Sequence, residues 1–312
     1  MSQSITAFAP ATVANVSCGF DILGFAIDGI GDKVTVSFNE HEKLCVTGIT
    51  GDGGNLPLEV EKNTCSVAIQ ALLDQLGTSQ GIDIYLEKGL ALGSGMGSSA
   101  ASAAAALVAA NELLGNPFSK EGLIPFAMEA ERIACGSAHA DNVAPSILGG
   151  FVLIRGYEPL DIVKLPVPKG IYCTLVHPHI ELKTSDSRSV LRKQISLKES
   201  TVQSGNIAGF IAGLYTNDFG LISRSLKDVI AEPSRALLIP GFYELRDAIK
   251  SIGSLGSGIS GSGPTIFVLS PNGEIALEAG EKAKEVFYTI GLGADVYVSE
   301  VNNRGAFVLG EG

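Results

Sequence analysis

A run of alternating glycines, LGSGMGSSAAS from Leu92 to Ser102, leads straight into an alanine-rich segment. Gly93, Gly95 and Gly97 alternate, and Ser98 and Ser99 stand where a helix begins. Lacking a Cβ, glycine lets successive backbone N–H groups turn toward one point. A helix N-terminus adds unpaired donors and the positive end of the macrodipole. Together these make a seat for phosphate. No Gly-Lys-Ser/Thr occurs in the run, so it is not the Walker pattern. A phosphate here is held by backbone and hydroxyls, not by a lysine of the loop. On the loop alone, a glycine-rich turn capped by serine is an equal reading.

The chain has 312 residues, enough for one large domain or two ordinary ones. Hydrophobic residues at 46% against 18% charged describe a globular protein with a substantial core. No apolar run is long and unbroken enough to span a bilayer; the alanine stretch stops at Asn111 and Glu112. The opening MSQSITAFAP lacks a basic region, an apolar secretory segment and the arginines of a transit peptide. The expectation is a mature start at Met1 and a cytoplasmic location. Cys18, Cys45, Cys65, Cys135 and Cys173 show no paired spacing, which is neither a zinc pattern nor a disulfide framework. Reduced cytosolic thiols account for them most simply. A net charge of −11 argues against a general nucleic-acid binder and against an anionic membrane as partner. It leaves ATP open, because magnesium and a local cluster of donors outweigh a distant net charge.

Alternating apolar positions predict strands at 32–38 and 43–49, a candidate hairpin, and at 81–90. Helical spacing predicts a helix from Asn63 to Leu76 ending at Gly77, and the alanine-rich helix from Ser98 to Leu114. The small side chains of the latter suit close packing on a sheet. A further helix runs toward Cys135, and Pro125 either starts or kinks it. A strand follows at 149–155. Beyond a Pro166/Pro168 connector come a strand at 171–176, helical segments at 201–230 broken near Asn217, and a helix at 243–252. A second glycine run, GSLGSGISGSG at 253–263, precedes a strand, a helix at 274–290 and a last strand at 294–301. The pattern is α+β, with a division expected between Tyr157 and Lys169.

Three separated segments carry a resemblance. Pro10 to Gly24 reads PATVANVSCGFDILG, Gly93 to Ser102 reads GSGMGSSAAS, and Ser260 to Phe267 reads SGSGPTIF. In that order and spacing the chain resembles the GHMP kinases, a superfamily of small-molecule kinases. With HADNVAP at 139–145 and EPSRALLIPGF at 232–242, it is similar specifically to the homoserine kinase family. The resemblance covers nearly the whole chain. Ala91 stands near where the family's loop carries a proline, and Met96 replaces a leucine at similar volume. Neither exchange touches the backbone donors.

The resemblance implies a two-domain α+β fold, with an N-terminal nucleotide-binding domain at 1–160 and a C-terminal α+β domain at 161–312. It implies ATP-dependent phosphorylation of the hydroxyl of L-homoserine on the route to threonine, with Mg2+ as cofactor and a homodimer as assembly. Leu92, Gly93, Ser94, Gly95, Met96, Gly97, Ser98 and Ser99 then hold the nucleotide phosphates, and Asn63 meets the adenine. An asparagine there is equally suited to capping a helix. Ser99 and Glu131 match the metal positions, with Ser98 as alternative to Ser99; away from this context Glu131 reads as an exposed helix carboxylate. For the acceptor, Asp21 takes the ammonium, and Arg188 and Arg235 take the carboxylate as guanidinium forks. Asn15, His139, Asn142 and Gly261 line the rest, with Asn142 near the reacting hydroxyl and Thr184 placed to contact phosphate or substrate. Taken singly, Asp21 is also a turn residue, the arginines surface cations, and His139 a structural histidine.

In relatives such as mevalonate kinase an aspartate stands eleven residues after the metal-binding glutamate and can act as base. Counted from Glu131, that position is Asn142, and Asp141 is expected to point elsewhere. A neutral amide does not take the hydroxyl proton as a carboxylate does. The expected mechanism therefore has no dedicated protein base. His177 and His179 find no third ligand and read as structural. Two rival readings stand: another small-molecule kinase of the superfamily, or a catalytically silent relative that binds ligand and regulates a partner.

Overall fold

The computed structural model describes residues 4–136 and 138–310; the start at Met1 and the side chain of Cys135 lie outside what is described. The first half runs β1 (Ser4–Ala14), β2 (Leu23–Phe38), β3 (Cys45–Thr50), α1 (Thr64–Leu76), β4 (Ile82–Glu87), α2 (Ser98–Leu113), α3 (Lys120–Cys135), α4 (Val143–Leu148), β5 (Phe151–Tyr157) and β6 (Leu160–Leu165). The second runs β7 (Tyr172–Pro178), α5 (Thr184–Ser189), α6 (Leu197–Thr216), α7 (Phe219–Ser225) and α8 (Glu232–Arg235). It continues through α9 (Phe242–Lys250), β8 (Gly256–Ile259), β9 (Ile266–Ser270), α10 (Gly273–Thr289), β10 (Ala294–Glu300) and β11 (Phe307–Val308).

The long strand β2 organises the first sheet. β1 pairs with both halves of it on one side; on the other side β4 pairs with its outer half and β5 with its inner end, and β5 pairs in turn with β6. The order β11-β1-β2-β4-β3 is antiparallel except for β3 beside β4. The expected β2–β3 hairpin is therefore corrected. β4 inserts between them, because its buried Ile82, Ile84 and Leu86 present an alternating face that pairs with 33–38. The second sheet is β10-β7-β9-β8, all antiparallel. An Ile27–Val301 bridge ties the two sheets, and β11 returns the chain end to β1. The polypeptide leaves the first sheet after Leu165, at the end of the β5–β6 hairpin.

Helix ends follow local chemistry. Asn63 caps α1 by accepting from the Cys65 amide, and Gly77 ends it in the left-handed region at φ 66°. A Ser196–Glu199 capping box opens α6, and Asn217 closes it. Pro125 does not start α3: Ser119 caps the helix ahead of it, and Pro125 sits inside. α2 is buried on nearly every side, from Ala100 to Asn111. A helix apolar all round belongs in a core, and its alanines let it lie against β1 and β2 on one side and α1 and α3 on the other. That placement drives its N-terminus, and the glycine loop ahead of it, into the space between the two sheets.

Candidate active site

Gly93, Gly95 and Gly97 all adopt left-handed φ, at 64°, 80° and 69°. At two of them glycine is required by contact as well. A Cβ on Gly95 would lie 2.7 Å from the carbonyl oxygens of Gly263 and Ser260, and one on Gly97 would lie 2.0 Å from the Thr12 hydroxyl. The loop is pinned from both sides: the Thr12 amide donates to the Met96 carbonyl at 3.0 Å, the Thr265 amide to Ser94 at 3.2 Å, and the buried Ser260 hydroxyl to Gly95 at 2.6 Å. Gly97 stands at the N-cap of α2 and no side chain caps the helix, which leaves its first-turn amides for an anion. Leu92, Gly93, Ser94, Gly95, Gly97, Ser98 and Ser99 all line one cavity of about 410 Å³. Met96 does not; its side chain is buried in the core.

A lysine absent from the sequence reading sits beneath this loop. Lys88, just past β4, is buried, and its Nζ bonds the Asp32 carboxylate. The same nitrogen donates to the Ser98 hydroxyl at 2.7 Å, the Ser98 carbonyl at 2.9 Å and the Ser102 hydroxyl at 3.0 Å. Asp32 also accepts from Ser102 at 2.7 Å and from the amides of Gly89 and Leu90 at 3.0 and 3.2 Å. Both charges are thus paired and satisfied where neither could stand alone. The pair locks strand β4, the first turn of α2 and β2 into one unit.

The opposite end of the cavity is charged. Asn15, Val16, Ser17 and Asp21 carry positive φ, at 71°, 44°, 54° and 59°. Left-handed backbone at non-glycine residues, a β-branched one included, is strain held by its surroundings. Here the Asn15 side chain does the holding: its Nδ2 donates to the Gly261 carbonyl at 2.7 Å and its Oδ1 accepts the Asp21 amide at 2.9 Å. The Tyr157 hydroxyl donates to the Asp21 carbonyl at 2.9 Å. Arg188, on α5, donates from Nη2 to Asp21 at 3.2 Å and to His139 Nε2 at 2.9 Å. A guanidinium only donates, so Nε2 accepts and the imidazole is neutral with its proton on Nδ1. Burial, opposed by Asp21 and aided by Arg188, pushes the His139 pKa down in agreement with that assignment. Arg235, at the end of α8, is buried. It donates to the Ser187 carbonyl at 3.1 Å and the Gly261 carbonyl at 3.0 Å, and stacks over Phe20 at 5.1 Å. Thr184 at the start of α5 lies 3.3 Å from the Ser262 hydroxyl.

Glu131 is buried on α3 and lines the cavity beside Asn142. Among the described residues no cluster of three or more His, Cys, Asp or Glu suits a metal. Asn63 lines the far end with Pro57; its Nδ2 donates to the Pro57 carbonyl at 2.9 Å while its Oδ1 caps α1. The structure thus brings every expected site residue except the Met96 side chain to one cavity.

Asp141 corrects an expectation. It lines the cavity together with Asn142, because successive residues entering a helix project about 100° apart and both flank the opening. Its carboxyl is pushed from 3.8 up to about 7, first by burial and then by Asp21 and Glu131. An acid that holds its proton more tightly when folded stabilises the fold at low pH and loses that contribution as pH rises through its folded pKa. The stability of the parent protein is expected to fall between about pH 4 and pH 7 through this group, and Asp141→Asn is expected to flatten that slope. Thermal unfolding of both proteins across this range checks it; parallel slopes would contradict it.

Comparison with known proteins supplies the remaining observations. Residues 63–150 match the family model of the GHMP kinases N terminal domain, and residues 210–289 that of the GHMP kinases C terminal. The homoserine kinase of Chlorobium phaeobacteroides (strain BS1) is 52% identical over 319 residues, covering 98% of this chain and 100% of the relative. The crystal structure of homoserine kinase from Cytophaga hutchinsonii superposes with a TM-score of 0.96 at 54% identity, over 99% of this chain and 98% of that one. A Lactococcus lactis galactokinase complexed with galactose shares the fold, with a TM-score of 0.72, at 14% identity over 98% of this chain and 95% of that one.

Proposed function

Because the chain belongs to the homoserine kinases, within the GHMP kinases, we propose that its cavity transfers the γ-phosphoryl group of ATP to the hydroxyl of L-homoserine. The observation that carries this is the junction of the two ends of the cavity. The phosphate loop at Gly97 and the acceptor cluster at Asn142 meet directly, with Asn142 Oδ1 2.9 Å from where a Gly97 Cβ would stand. Mevalonate carries no ammonium for the Asp21 carboxylate, and galactose carries neither an ammonium for it nor a carboxylate for Arg188 and Arg235. An α-amino acid uses both charges.

In this reading the glycine loop and the first turn of α2 cradle the phosphates through backbone donors, and adenine lies toward Asn63 and Pro57. The homoserine ammonium takes Asp21, displacing the Arg188 bond. Arg188 and Arg235 then turn their remaining guanidinium donors to the carboxylate. Asn15 and Gly261 hold the floor, His139 completes the polar wall, and Thr184 stands over the phosphate end. For magnesium, Glu131 supplies a carboxylate and Ser99 a hydroxyl. Ser98 is the poorer choice, since its hydroxyl already faces the Lys88 ammonium at 2.7 Å. Two hard oxygen ligands suit an ion that keeps several waters and takes phosphate oxygens. Bound there, it would neutralise phosphate charge. Asn142 gives no base, and the Asp141 carboxyl that also lines the cavity is pushed up to about 7 by burial and so holds its proton more tightly than an ordinary carboxylate. In this reading the chain contributes alignment and electrostatic stabilisation, and the hydroxyl proton leaves to the phosphoryl oxygens. A silent relative would have no use for an intact loop and a buried Glu131 together. The proposal extends to a homodimer in the cytoplasm. The buried free thiols of Cys18, Cys65 and Cys173 suit a reducing compartment, and sedimentation at twice the chain mass tests the assembly.

The ammonium assignment has a direct test. Asp21→Asn is expected to lower kcat/KM for homoserine by about 10²-fold or more, since breaking a hydrogen-bonded charge pair costs about 2–5 kcal/mol. For 4-hydroxybutyrate, which lacks the amine, parent and variant are expected to differ by less than about 3-fold. An equal loss on both acceptors would remove Asp21 from ammonium recognition.

A further inference from the structure

Asn142 occupies the N-cap position of α4, yet its side chain does not cap the helix. Its Oδ1 accepts a hydrogen bond from the Thr12 hydroxyl at 2.8 Å. Thr12 is fully buried on β1. The β1–β2 register shifts between Pro10 and Thr12, and a bulge of this kind re-aims a side chain. The backbone around Thr12 is tied to both glycine loops: its amide donates to Met96 at 3.0 Å, and the Ala14 carbonyl two residues on accepts from the Gly261 amide at 3.2 Å. Its hydroxyl also abuts Gly97, where no Cβ would fit. The side chain is therefore immobilised between the phosphate loop and Asn142.

An amide has one end that only accepts and one that only donates. With Oδ1 engaged by Thr12, the end of Asn142 left for the cavity is Nδ2. We propose that Thr12 is a positioning residue for phosphoryl transfer, fixing Asn142 so that Nδ2 donates to the acceptor hydroxyl oxygen. This rests on the reading of the cavity as an alcohol kinase. The hydroxyl oxygen, held as an acceptor, carries its proton away from the protein and toward the γ-phosphoryl oxygens. The bond from that oxygen to the γ-phosphorus forms, the bond from the γ-phosphorus to the bridging oxygen breaks, and ADP keeps the electron pair. The proton ends on an oxygen of the transferred phosphoryl group. Thr12 and Asn142 emerge unchanged. Without the Thr12 hydroxyl, nothing distinguishes the two ends of the amide, and Asn142 can present its carbonyl to the hydroxyl proton instead.

The test is a cycle of Thr12→Val, Thr12→Ser, Asn142→Ala and the Thr12→Val/Asn142→Ala double variant, with kcat and both KM values measured for homoserine and ATP. Thr12→Val is expected to lower kcat by about 10- to 100-fold, the scale of a small misplacement at a reacting centre, with KM for ATP within about 2-fold. Thr12→Ser, which keeps the hydroxyl, is expected to restore kcat to within about 5-fold of the parent. The double variant is expected to be no slower than Asn142→Ala alone, because the two residues act as one unit. A parent-like kcat for Thr12→Val, or losses that add in full in the double variant, would overturn the proposal. If valine unfolds the loop, Thr12→Ser and Thr12→Ala against Asn142→Ala read the same coupling. Failure of the parent protein to phosphorylate homoserine would instead strike the functional reading, and the cycle run on whichever alcohol it does phosphorylate still decides the role of Thr12.

Discussion

Lys88→Met is expected to lower the unfolding free energy by about 3–5 kcal/mol, the scale for removing one partner of a buried ion pair. The Lys88 and Asp32 side chains are 1% and 0% exposed, and losing the ammonium leaves a buried carboxylate without its countercharge. Asp32→Leu is expected to cost as much, since it strands the lysine. The double variant Lys88→Met/Asp32→Leu should recover most of the loss, because a well-packed apolar pair removes both desolvation penalties. Denaturant unfolding with unchanged m-values measures all three. Near-neutral single variants, or a double variant as unstable as the sum, would contradict the buried-pair description. Ser98 and Ser102 hang from the same nitrogen, so Lys88→Met is also expected to raise KM for ATP by loosening the first turn of α2.

Gly97→Ala is expected to reduce kcat/KM by about 10²-fold, because displacement of about 1 Å at the reacting centre costs that much. Its stability cost is smaller, about 1–3 kcal/mol for a left-handed non-glycine residue. The new methyl would meet Thr12 Oγ1 at 2.0 Å and Asn142 Oδ1 at 2.9 Å, so it strikes both the loop and the group nearest the reacting hydroxyl. Gly115→Ala is the control: it too has positive φ, at 84°, but nothing stands within 4 Å of its added methyl. It should show backbone strain alone and parent kinetics. Similar kinetics for both alanine variants would mean that the Gly97 contact does not govern turnover.

Much of the cavity was legible because the chemistry sits in contiguous runs. The Gly93–Ser99 loop, the Pro10–Gly24 segment and the 260–267 segment each announce a conformation that few residue types allow, and all three converge. The alanine run likewise announced a helix packed on a sheet, and α2 is buried as its composition requires. What escaped were features whose partners lie far apart. Lys88 is 56 residues from Asp32 and 10 from Ser98, with no motif to join them. Thr12 and Asn142 are 130 residues apart. β1 was missed because 10–14 is buried on both faces and shows no alternation, and it contains a proline. β8 hid inside a glycine run, where pairing with β9 needs only backbone. β6 followed a proline and showed no clean burial alternation. The β2–β3 hairpin was misjudged because adjacency in sequence stood in for adjacency in the sheet, and β4 came between them.

The most direct test is ADP release by the purified protein with Mg-ATP, comparing L-homoserine with L-serine, L-threonine, mevalonate and galactose, and identifying the product by mass. Turnover with homoserine alone, giving O-phosphohomoserine, is the predicted result. Preferential phosphorylation of another acceptor would contradict the assignment of Asp21, Arg188 and Arg235, and ATP binding without turnover on any acceptor would contradict the kinase itself.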